Sequence, residues 1–179
     1  MTLLIGGALR RLFTTFESTA FRLEVRESYY DRVQLGQFLA GEHVDLSGMD
    51  GWLGLMVRLR VQGKRVERVR VVSRPYSDYT RFGLWLCAYN TQAGEDIRYL
   101  HRDQADGLPN HDYWLFDSSR LYRMHFTHDD ELRGAELVED AAAAVEHNRW
   151  RDRAWQRATP YPDYLKFPPD RDVGSPAES

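Results

Sequence analysis

The sequence contains only one cysteine among its 179 residues, Cys87. A disulfide within the chain is therefore excluded, and the apolar segment LWLCAYN around Cys87 predicts a buried, unreactive thiol in a reducing compartment. The sequence also lacks any apolar run near the roughly 20 residues of a membrane span. No basic residue precedes the short apolar run of MTLLIGGALRRLF, so we expect no signal peptide. These absences predict a soluble, cytoplasmic protein without a membrane partner.

An excess of charge of one sign is absent as well. The chain carries 24 basic and 27 acidic residues, for a formal net charge of −3, so its overall charge does not indicate nucleic acid as a partner. Its hydrophobic share of 42% and aromatic share of 13% are typical of a globular protein. We expect a single domain over residues 1–164, followed by a disordered tail over 165–179 that is rich in proline, serine and charge.

The first half of the chain predicts two helices and a β-hairpin. We expect helices over 8–22 and 28–40, with a short strand in FRLEVR between them. Residues 53–61 alternate leucine and valine with glycine, methionine and arginine, which is the period of a half-buried strand. A turn at Gln62-Gly63-Lys64 would join this strand to a second one that ends near Val72.

The second half predicts a mixed sheet flanked by helices. The segment RFGLWLCAYNTQ carries apolar residues at helical spacing, Gly94 ends this helix, and EDIRYL predicts the next strand. Strand, helix and strand together predict a right-handed βαβ unit with a parallel pair. DYWLFD and LYRMHF predict a hairpin, and a last helix is expected from Asp140 to Pro160. The predicted fold class is therefore α/β.

The segment RPYSDYTRF, residues 74–82, joins a predicted strand to the helix that follows it. Ligands favour the carboxyl ends of strands in open α/β sheets, and helix N-termini suit anions. Arginines in this segment could form bidentate hydrogen bonds with a phosphate or carboxylate, and its tyrosines could stack on a base or another ring of a ligand. The alternative is an ordinary junction, in which Pro75 sets the turn and Ser77 or Asp78 caps the helix. The predicted site for a small anionic ligand comprises Arg74, Tyr76, Tyr79 and Arg81.

A second candidate site consists of acidic residues and a histidine. Glu95, Asp96 and Asp117 could meet at one end of the sheet, and paired carboxylates can divide the roles of acid and base. His125 is a candidate partner, so a phosphoesterase or nuclease is one alternative function. Against it, an aspartate ahead of two serines is also usual at a turn.

The third candidate is the basic hairpin, whose charged positions are Arg58, Arg60, Arg68 and Arg70. Such a face would give a DNA-binding alternative, whereas a solvated face that pairs with nearby acids explains the same pattern. Histidines and aspartates elsewhere, as in HFTHDD, lack the spacing of a helical zinc motif. We therefore predict neither a metal nor a cofactor.

Four segments, FRLEVRESY, RVRVVSRPYSDYTRF, AGEDIRYL and DYWLFDSSRLYRMHF, resemble the actinobacterial family DUF6879, whose activity is not established. The resemblance extends to about Tyr164. Members are often encoded near helix-turn-helix regulators and small DUF397 proteins, so the resemblance implies a regulatory circuit with one of these as a partner. Together with the candidate sites, it leads us to expect a non-catalytic regulatory or ligand-binding module that acts through a protein partner.

The order of elements around AGEDIRYL and DYWLFD also resembles half of a phospholipase D-like domain. Catalytic members of that group use a His-x-Lys-x4-Asp motif. If Asp117 takes the position of the motif's aspartate, the histidine and lysine positions hold Asn110 and Asp112. The resemblance therefore implies a fold without implying the phosphodiesterase chemistry.

Overall fold

The structure is a computed structural model that describes residues 2–166. Its strands are β1 (Leu3–Leu4), β2 (Thr19–Glu24), β3 (Arg65–Val72), β4 (Glu95–His101), β5 (Tyr113–Phe116), β6 (Arg120–Phe126), β7 (Leu132–Val138) and β8 (Thr159–Pro160). Its α-helices are α1 (Gly6–Thr15), α2 (Arg32–Leu39), α3 (Asp50–Val61), α4 (Asp78–Ala93), α5 (Ala141–Arg157) and α6 (Tyr161–Lys166).

All eight strands form one mixed sheet in the order β1-β7-β6-β5-β2-β3-β4-β8. The central strands β2, β3 and β4 run parallel, and every other neighbouring pair is antiparallel. The predicted α/β class is confirmed, as is the parallel pair β3 and β4 joined through α4. Helices α3 and α4 cover one face of the parallel strands and α5 covers the other, so side chains on either face become buried.

Local capping signals set the bounds of α4. The Ser77 hydroxyl accepts a hydrogen bond from the Thr80 backbone N–H at 3.1 Å, which is the usual N-cap contact. At the other end Gly94 adopts φ 116, a left-handed conformation in which glycine has no Cβ penalty. Of the two predicted caps, Ser77 and Asp78, the structure shows Ser77, and the prediction that Gly94 ends the helix is confirmed. Asp140 likewise caps α5, since its carboxylate accepts from the Ala142 N–H at 2.8 Å.

The two faces of the sheet carry different cores. On one face Phe21, Leu23 and Val69 are buried beneath α5. On the opposite face the antiparallel part of the sheet packs against α1 and α3 through aromatic residues such as Trp114 and Phe116. Over β2 and β3, however, this second face presents the charged side chains of Arg22, Glu24, Arg68 and Arg70 in place of an apolar core. The candidate functional site lies over these charged side chains.

The prediction of a strand over 53–61 is wrong, because these residues belong to α3. Their apolar residues fit both periods, but the positions that become buried are Met56 and Leu59, with Trp52 partly buried one turn earlier, which is helical spacing. Val57 and Val61 continue the apparent alternation yet are 41% and 80% exposed. The acidic residue Asp50 in the first turn and arginines in the last turn also complement the helix dipole.

Other boundaries differ from the predictions by smaller amounts. The first helix ends at Thr15 rather than at residue 22, because Thr19–Glu24 pairs with β3 and β5 as a strand. Strands β1, β7 and β8 were not predicted. Leu165 and Lys166 belong to α6, and the rest of the tail predicted over 165–179 lies outside the described residues. Within residues 2–166, no helix is long and apolar enough to cross a membrane.

Candidate functional site

A cavity of about 520 Å³ lies between the parallel strands and the helices that cover their second face. Its floor consists of side chains of β2, β3 and β4, and its walls include Gly83, Leu86 and Asn90 of α4. Trp52 of α3 closes one side. We call it the charged-floor cavity, because arginines and acids line the sheet at the point where a hydrophobic core is usual.

Glu24 is the centre of the floor and contacts three arginines. Its Oε1 accepts from Arg22 Nε at 3.0 Å and from Arg68 Nη1 at 2.9 Å, and its Oε2 accepts from Arg70 Nη1 at 3.2 Å. The parallel register explains this cluster, since Arg22 lies opposite Arg68 and Glu24 lies opposite Arg70. Residues paired in this way point to the same face of a sheet.

Two further acids lie at the edges of this cluster. Glu95, at the start of β4, accepts from Arg68 Nε at 2.7 Å and from the indole N–H of Trp52 at 3.4 Å. Asp112, just before β5, accepts from Arg22 Nη2 at 3.2 Å and from the Tyr29 hydroxyl at 2.6 Å. The floor, taken with these two acids, thus contains three arginines and three carboxyl groups, all of which are mostly or fully buried. The arginines and Glu24 line the cavity itself, whereas Glu95 and Asp112 lie behind them.

The acids of the floor differ in their preferred protonation states. Burial raises the pKa of Glu24, but the positive charges of Arg68, Arg22 and Arg70 outweigh burial and bring this pKa to about 2. Glu95 and Asp112 each have fewer cationic neighbours, so burial dominates and raises the pKa of both above its ordinary value. Glu24 is therefore a firmly ionised carboxylate, whereas its two acidic neighbours are more easily protonated.

Arg70 is the floor residue whose hydrogen bonds are incomplete. Its side chain is 9% exposed, and its Nε and Nη2 are buried without a hydrogen-bond partner. The guanidinium carbon lies 5.2 Å from the ring centre of Tyr29 and 5.1 Å from that of Tyr79. These contacts are cation–π interactions, which do not replace a hydrogen bond to an acceptor.

The wall formed by α4 supplies three further features. Gly83 faces the guanidinium of Arg70, and a Cβ at position 83 would lie 3.6 Å from Arg70 Cζ. The Asn90 Oδ1 atom is buried without a hydrogen-bond partner. Burial raises the pKa of the Cys87 thiol to about 12, which agrees with the unreactive thiol expected from the sequence.

The residues predicted as a ligand site around the strand-to-helix junction face different parts of the molecule. Tyr79 lines the charged-floor cavity, and its hydroxyl donates to Asp31 at 2.8 Å. Arg74 and Tyr76 point elsewhere: Arg74 Nε donates to Nδ1 of His101 at 3.1 Å, and the hydroxyls of Tyr76 and Tyr164 are hydrogen-bonded. Arg81 is an exposed residue 3.6 Å from Asp78.

The predicted acid and base residues are likewise distributed over separate places. Glu95 belongs to the cavity floor, whereas Asp96 is exposed and lies 3.8 Å from Arg98. His125 is 2.7 Å from Glu136 on the neighbouring strand. Glu95 and Asp117 are associated with β4 and β5, and these strands are separated by β2 and β3.

Asp117 holds the chain ahead of β2. Its Oδ1 accepts from the backbone N–H groups of Ser18 and Thr19 at 2.8 and 3.1 Å, and its Oδ2 accepts from that of Glu17 at 2.9 Å. Burial raises the pKa of Asp117, but these donors outweigh it and lower the pKa to about 2. The side chain thus fixes the α1–β2 connection.

The four arginines predicted as a basic hairpin do not share one face. Arg58 and Arg60 are exposed on α3, because that segment is a helix. Arg68 and Arg70 lie inside, where their charges are neutralised by Glu24 and Glu95. The hairpin prediction is therefore wrong, and the arginines of its second half belong to the cavity.

Among the charged residues of the floor, the sequence prediction missed Arg22, Glu24 and Asp112, and it also missed Tyr29, which covers Arg70. A signal existed, because Arg22 and Glu24 alternate with Phe21 and Leu23 in the same way that arginines alternate with valines in RVRVV. In strands buried on both faces, charges in the alternate phase must also be buried. Within the described residues, no group of three or more histidine, cysteine, aspartate or glutamate side chains is arranged to hold a metal ion.

Comparison with curated proteins gives no match. A family model described as "Domain of unknown function (DUF6879)" matches residues 7–166, which includes the whole charged-floor cavity and nearly all of the described chain. The segments FRLEVRESY, RVRVVSRPYSDYTRF, AGEDIRYL and DYWLFDSSRLYRMHF, on which the resemblance was based, contain all six charged residues of the floor. The chain belongs to the DUF6879 family.

Proposed function

We propose that this chain is a binding module for a small ligand that carries an oxyanion, a carboxylate or a phosphate, and that the ligand binds in the charged-floor cavity. The observation that carries the proposal is the pair of buried, unpartnered nitrogens of Arg70. Buried donors are nearly always hydrogen-bonded in folded proteins. A ligand that accepts from these two nitrogens would complete the hydrogen bonds of the site.

The two free nitrogens suit an oxyanion because of their position on the guanidinium. Nε and Nη2 lie on one edge of the planar group and their N–H bonds are nearly parallel, so they match the two oxygens of a carboxylate or phosphate. Nη1 of Arg70 is already occupied by Glu24. The contact to Glu24 fixes the guanidinium in place and leaves the bidentate edge for a ligand.

The charge of the floor supports an anion as well. Arg22, Arg68 and Arg70 provide three positive charges, and only Glu24 among the three floor acids has its pKa lowered. Burial raises the pKa of Glu95 and of Asp112, so either carboxylate can take up a proton and thereby offset the charge of a bound anion. Asp31 beside Tyr79 would repel an anion, so we expect the anion on the β3 side of the cavity.

Entry of a ligand requires a small rearrangement. Tyr29 and Tyr79 flank Arg70, and its free nitrogens are buried, so one of these rings must move before an oxyanion reaches them. Tyr29 is the better candidate, because it lies in the segment between β2 and α2 and is only partly buried, whereas Tyr79 is buried in α4.

Within the same proposal, the module is cytoplasmic and transmits ligand occupancy to a protein partner. The support is the family resemblance, which implies a helix-turn-helix regulator or a DUF397-type protein as the partner. A pull-down with the neighbouring regulator, with and without an anionic probe, tests this part. Capture that is unchanged by the probe would leave ligand binding in place and remove the regulatory role.

Titration of the full chain with inorganic phosphate, butanoate, octanoate and adenosine monophosphate tests the binding function. We expect at least one probe to bind, and Arg70→Lys to weaken it by about tenfold or more, because lysine keeps the charge but lacks the bidentate edge. Arg65→Lys, on the same strand but exposed, is the matched control and should leave binding unchanged. Absence of binding by all four probes would refute the proposal, as would binding that survives Arg70→Lys.

The same titration separates the cavity from the junction site predicted by the sequence. Arg74→Lys alters a residue that contacts His101 outside the cavity. Binding that depends on Arg74 and not on Arg70 would move the ligand site to the junction. The enzymatic and DNA-binding alternatives have no comparable observation in their favour, and they stay predictions.

A further inference from the structure

A second cavity, of about 490 Å³, lies beside the charged-floor cavity. It is bounded by α1, α3 and the antiparallel part of the sheet, and its lining includes Leu9, Phe13, Leu55 and Met124. We call it the apolar cavity. Its charged lining residues are Arg10, Arg22 and Arg58, and of these Arg10 and Arg58 are exposed on their helices. Away from Arg22, which is buried at the boundary with the charged-floor cavity, the interior of this cavity is therefore suited to hydrocarbon.

The two cavities share a common wall. Arg22, Trp52, Trp114 and Leu132 line both of them. Arg22 on β2 lies opposite Trp114 on β5, so this wall stands where the parallel strands meet the antiparallel ones. The charged floor and the apolar cavity are thus consecutive along one face of the sheet.

We propose that the two cavities form one bipartite site for an amphipathic oxyanion. The oxyanion contacts the free edge of Arg70, and an apolar chain extends past Trp52 and Trp114 into the apolar cavity. The inference rests on the proposed function for its anionic end and adds the chemical class of the remainder of the ligand. Carboxylates and phosphates with alkyl chains share this chemistry, and the experiment below distinguishes them.

The spacing of the strands sets the length of the apolar part. Arg70 is on β3 and Met124 is on β6, three strand positions away in the sheet order. Neighbouring strands are about 4.8 Å apart, so the site extends about 14 Å across the sheet. An ion as small as acetate occupies only the charged end. A medium-length chain also reaches the side chains of Leu55 and Met124.

Chain-length dependence tests this inference on the full protein. Butanoate, hexanoate and octanoate are titrated by calorimetry, together with octyl phosphate and octanol. We expect affinity to rise about fourfold for each added methylene that becomes buried. Octyl phosphate and octanoate are expected to bind more tightly than octanol, and the stronger of the two identifies the preferred oxyanion.

A variant that fills the apolar cavity provides the second arm. Leu55→Trp should abolish the gain in affinity from butanoate to octanoate. Val57→Trp adds the same ring on the exposed side of α3, where Val57 is 41% exposed, and should leave the dependence unchanged. If Leu55→Trp does not fold, Leu9→Trp fills the same cavity from α1.

Three results would overturn the bipartite site, and each points to a different fault in it. Butanoate binding that requires Arg70, with no gain for longer chains, would overturn the bipartite site and leave the proposed function standing. Octanol that binds as tightly as octanoate would overturn the anchoring of an oxyanion. A chain-length dependence that persists in Leu55→Trp and Leu9→Trp would place the chain outside the apolar cavity and overturn the inference.

Discussion

Glu24 and Arg70 lie opposite each other on neighbouring parallel strands and are joined by a hydrogen bond of 3.2 Å from Arg70 Nη1 to Glu24 Oε2. Both side chains are buried, and Glu24 also contacts Arg22 and Arg68. A single carboxylate therefore neutralises part of the charge of three guanidinium groups. This arrangement makes Glu24 the main stabilising charge of the floor, and several measurable consequences depend on it.

Replacement of Glu24 by glutamine should destabilise the fold strongly. The amide keeps the shape of the side chain but removes the charge, so three buried arginines lose their common partner. Removal of one member of a buried ion pair typically costs about 3–5 kcal/mol of unfolding free energy. Urea denaturation measures the loss. Glu67→Gln, whose partner Arg65 has a side chain that is 70% exposed, should change stability by less than about 1 kcal/mol. Equal losses in the two variants would contradict the central role of Glu24.

The pH dependence of stability provides an independent test of the same residue. The pKa of Glu24 lies at about 2 in the folded chain, below its ordinary value of 4.5. Its contribution is therefore fully present above pH 4.5 and is lost as the pH falls toward 2, and it corresponds to about 3 kcal/mol.

Urea denaturation of the wild type and of Glu24→Gln between about pH 6 and about pH 2 measures the contribution of the Glu24 charge to the unfolding free energy. We expect the difference in unfolding free energy between the two proteins to shrink across the lower part of that range. Glu95 and Asp112 act in the opposite direction, because their raised pKa values favour the folded state at low pH. A difference that stays constant with pH would show that Glu24 titrates normally.

The helix ends that were predicted correctly are encoded by residues next to them in the sequence. Ser77 and Gly94 delimit α4, and Asp140 begins α5, because caps act within a few residues of the backbone that they satisfy. The helix α3 was missed because its apolar residues fit a strand and a helix equally well, and only burial of Met56 and Leu59 on one face distinguishes the two.

The site was only partly predictable for a different reason. Asp112 is 90 residues from Arg22 and 83 from Tyr29 in sequence, and their contacts exist only because β5 pairs with β2. Neither composition nor periodicity specifies that pairing. Tyr79 and Glu95 were singled out from the residues around them, but the sequence assigned them to two different sites. In the fold Tyr79 lines the cavity, and Glu95 is hydrogen-bonded to the lining residues Arg68 and Trp52.

Tyr29→Phe should weaken the fold without removal of the ring that covers Arg70. The variant deletes the hydroxyl that donates to Asp112 at 2.6 Å and leaves the buried carboxyl with fewer donors. Loss of a hydrogen bond to a charged group costs about 1.5–3 kcal/mol. Denaturation measures this cost, and Tyr89→Phe, at a position 37% exposed, is the matched control with an effect within about 0.5 kcal/mol. An unchanged unfolding free energy in Tyr29→Phe would show that the hydrogen bond from Tyr29 to Asp112 does not stabilise the fold.

Cys87 should be inert to thiol reagents in the folded chain. With a pKa of about 12, roughly one thiol in ten thousand is ionised at pH 8, and the thiolate is the reactive form. We expect negligible labelling by a disulfide reagent at pH 8 in buffer and complete labelling of one thiol in concentrated urea. Rapid labelling of the native protein would mean that the wall formed by α4 opens readily.

Gly83→Ala tests whether the space beside Arg70 binds a ligand. Its Cβ would make an ordinary contact of 3.6 Å with Arg70 Cζ, and alanine in a helix is more stable than glycine by about 0.5–1 kcal/mol. We expect higher stability in denaturation and weaker binding of octanoate, because the methyl group occupies space beside Arg70. Gly36→Ala on α2, where a Cβ has no neighbour within 4 Å, should gain similar stability and leave octanoate binding unchanged. Equal octanoate affinity in both variants would place the ligand away from Arg70.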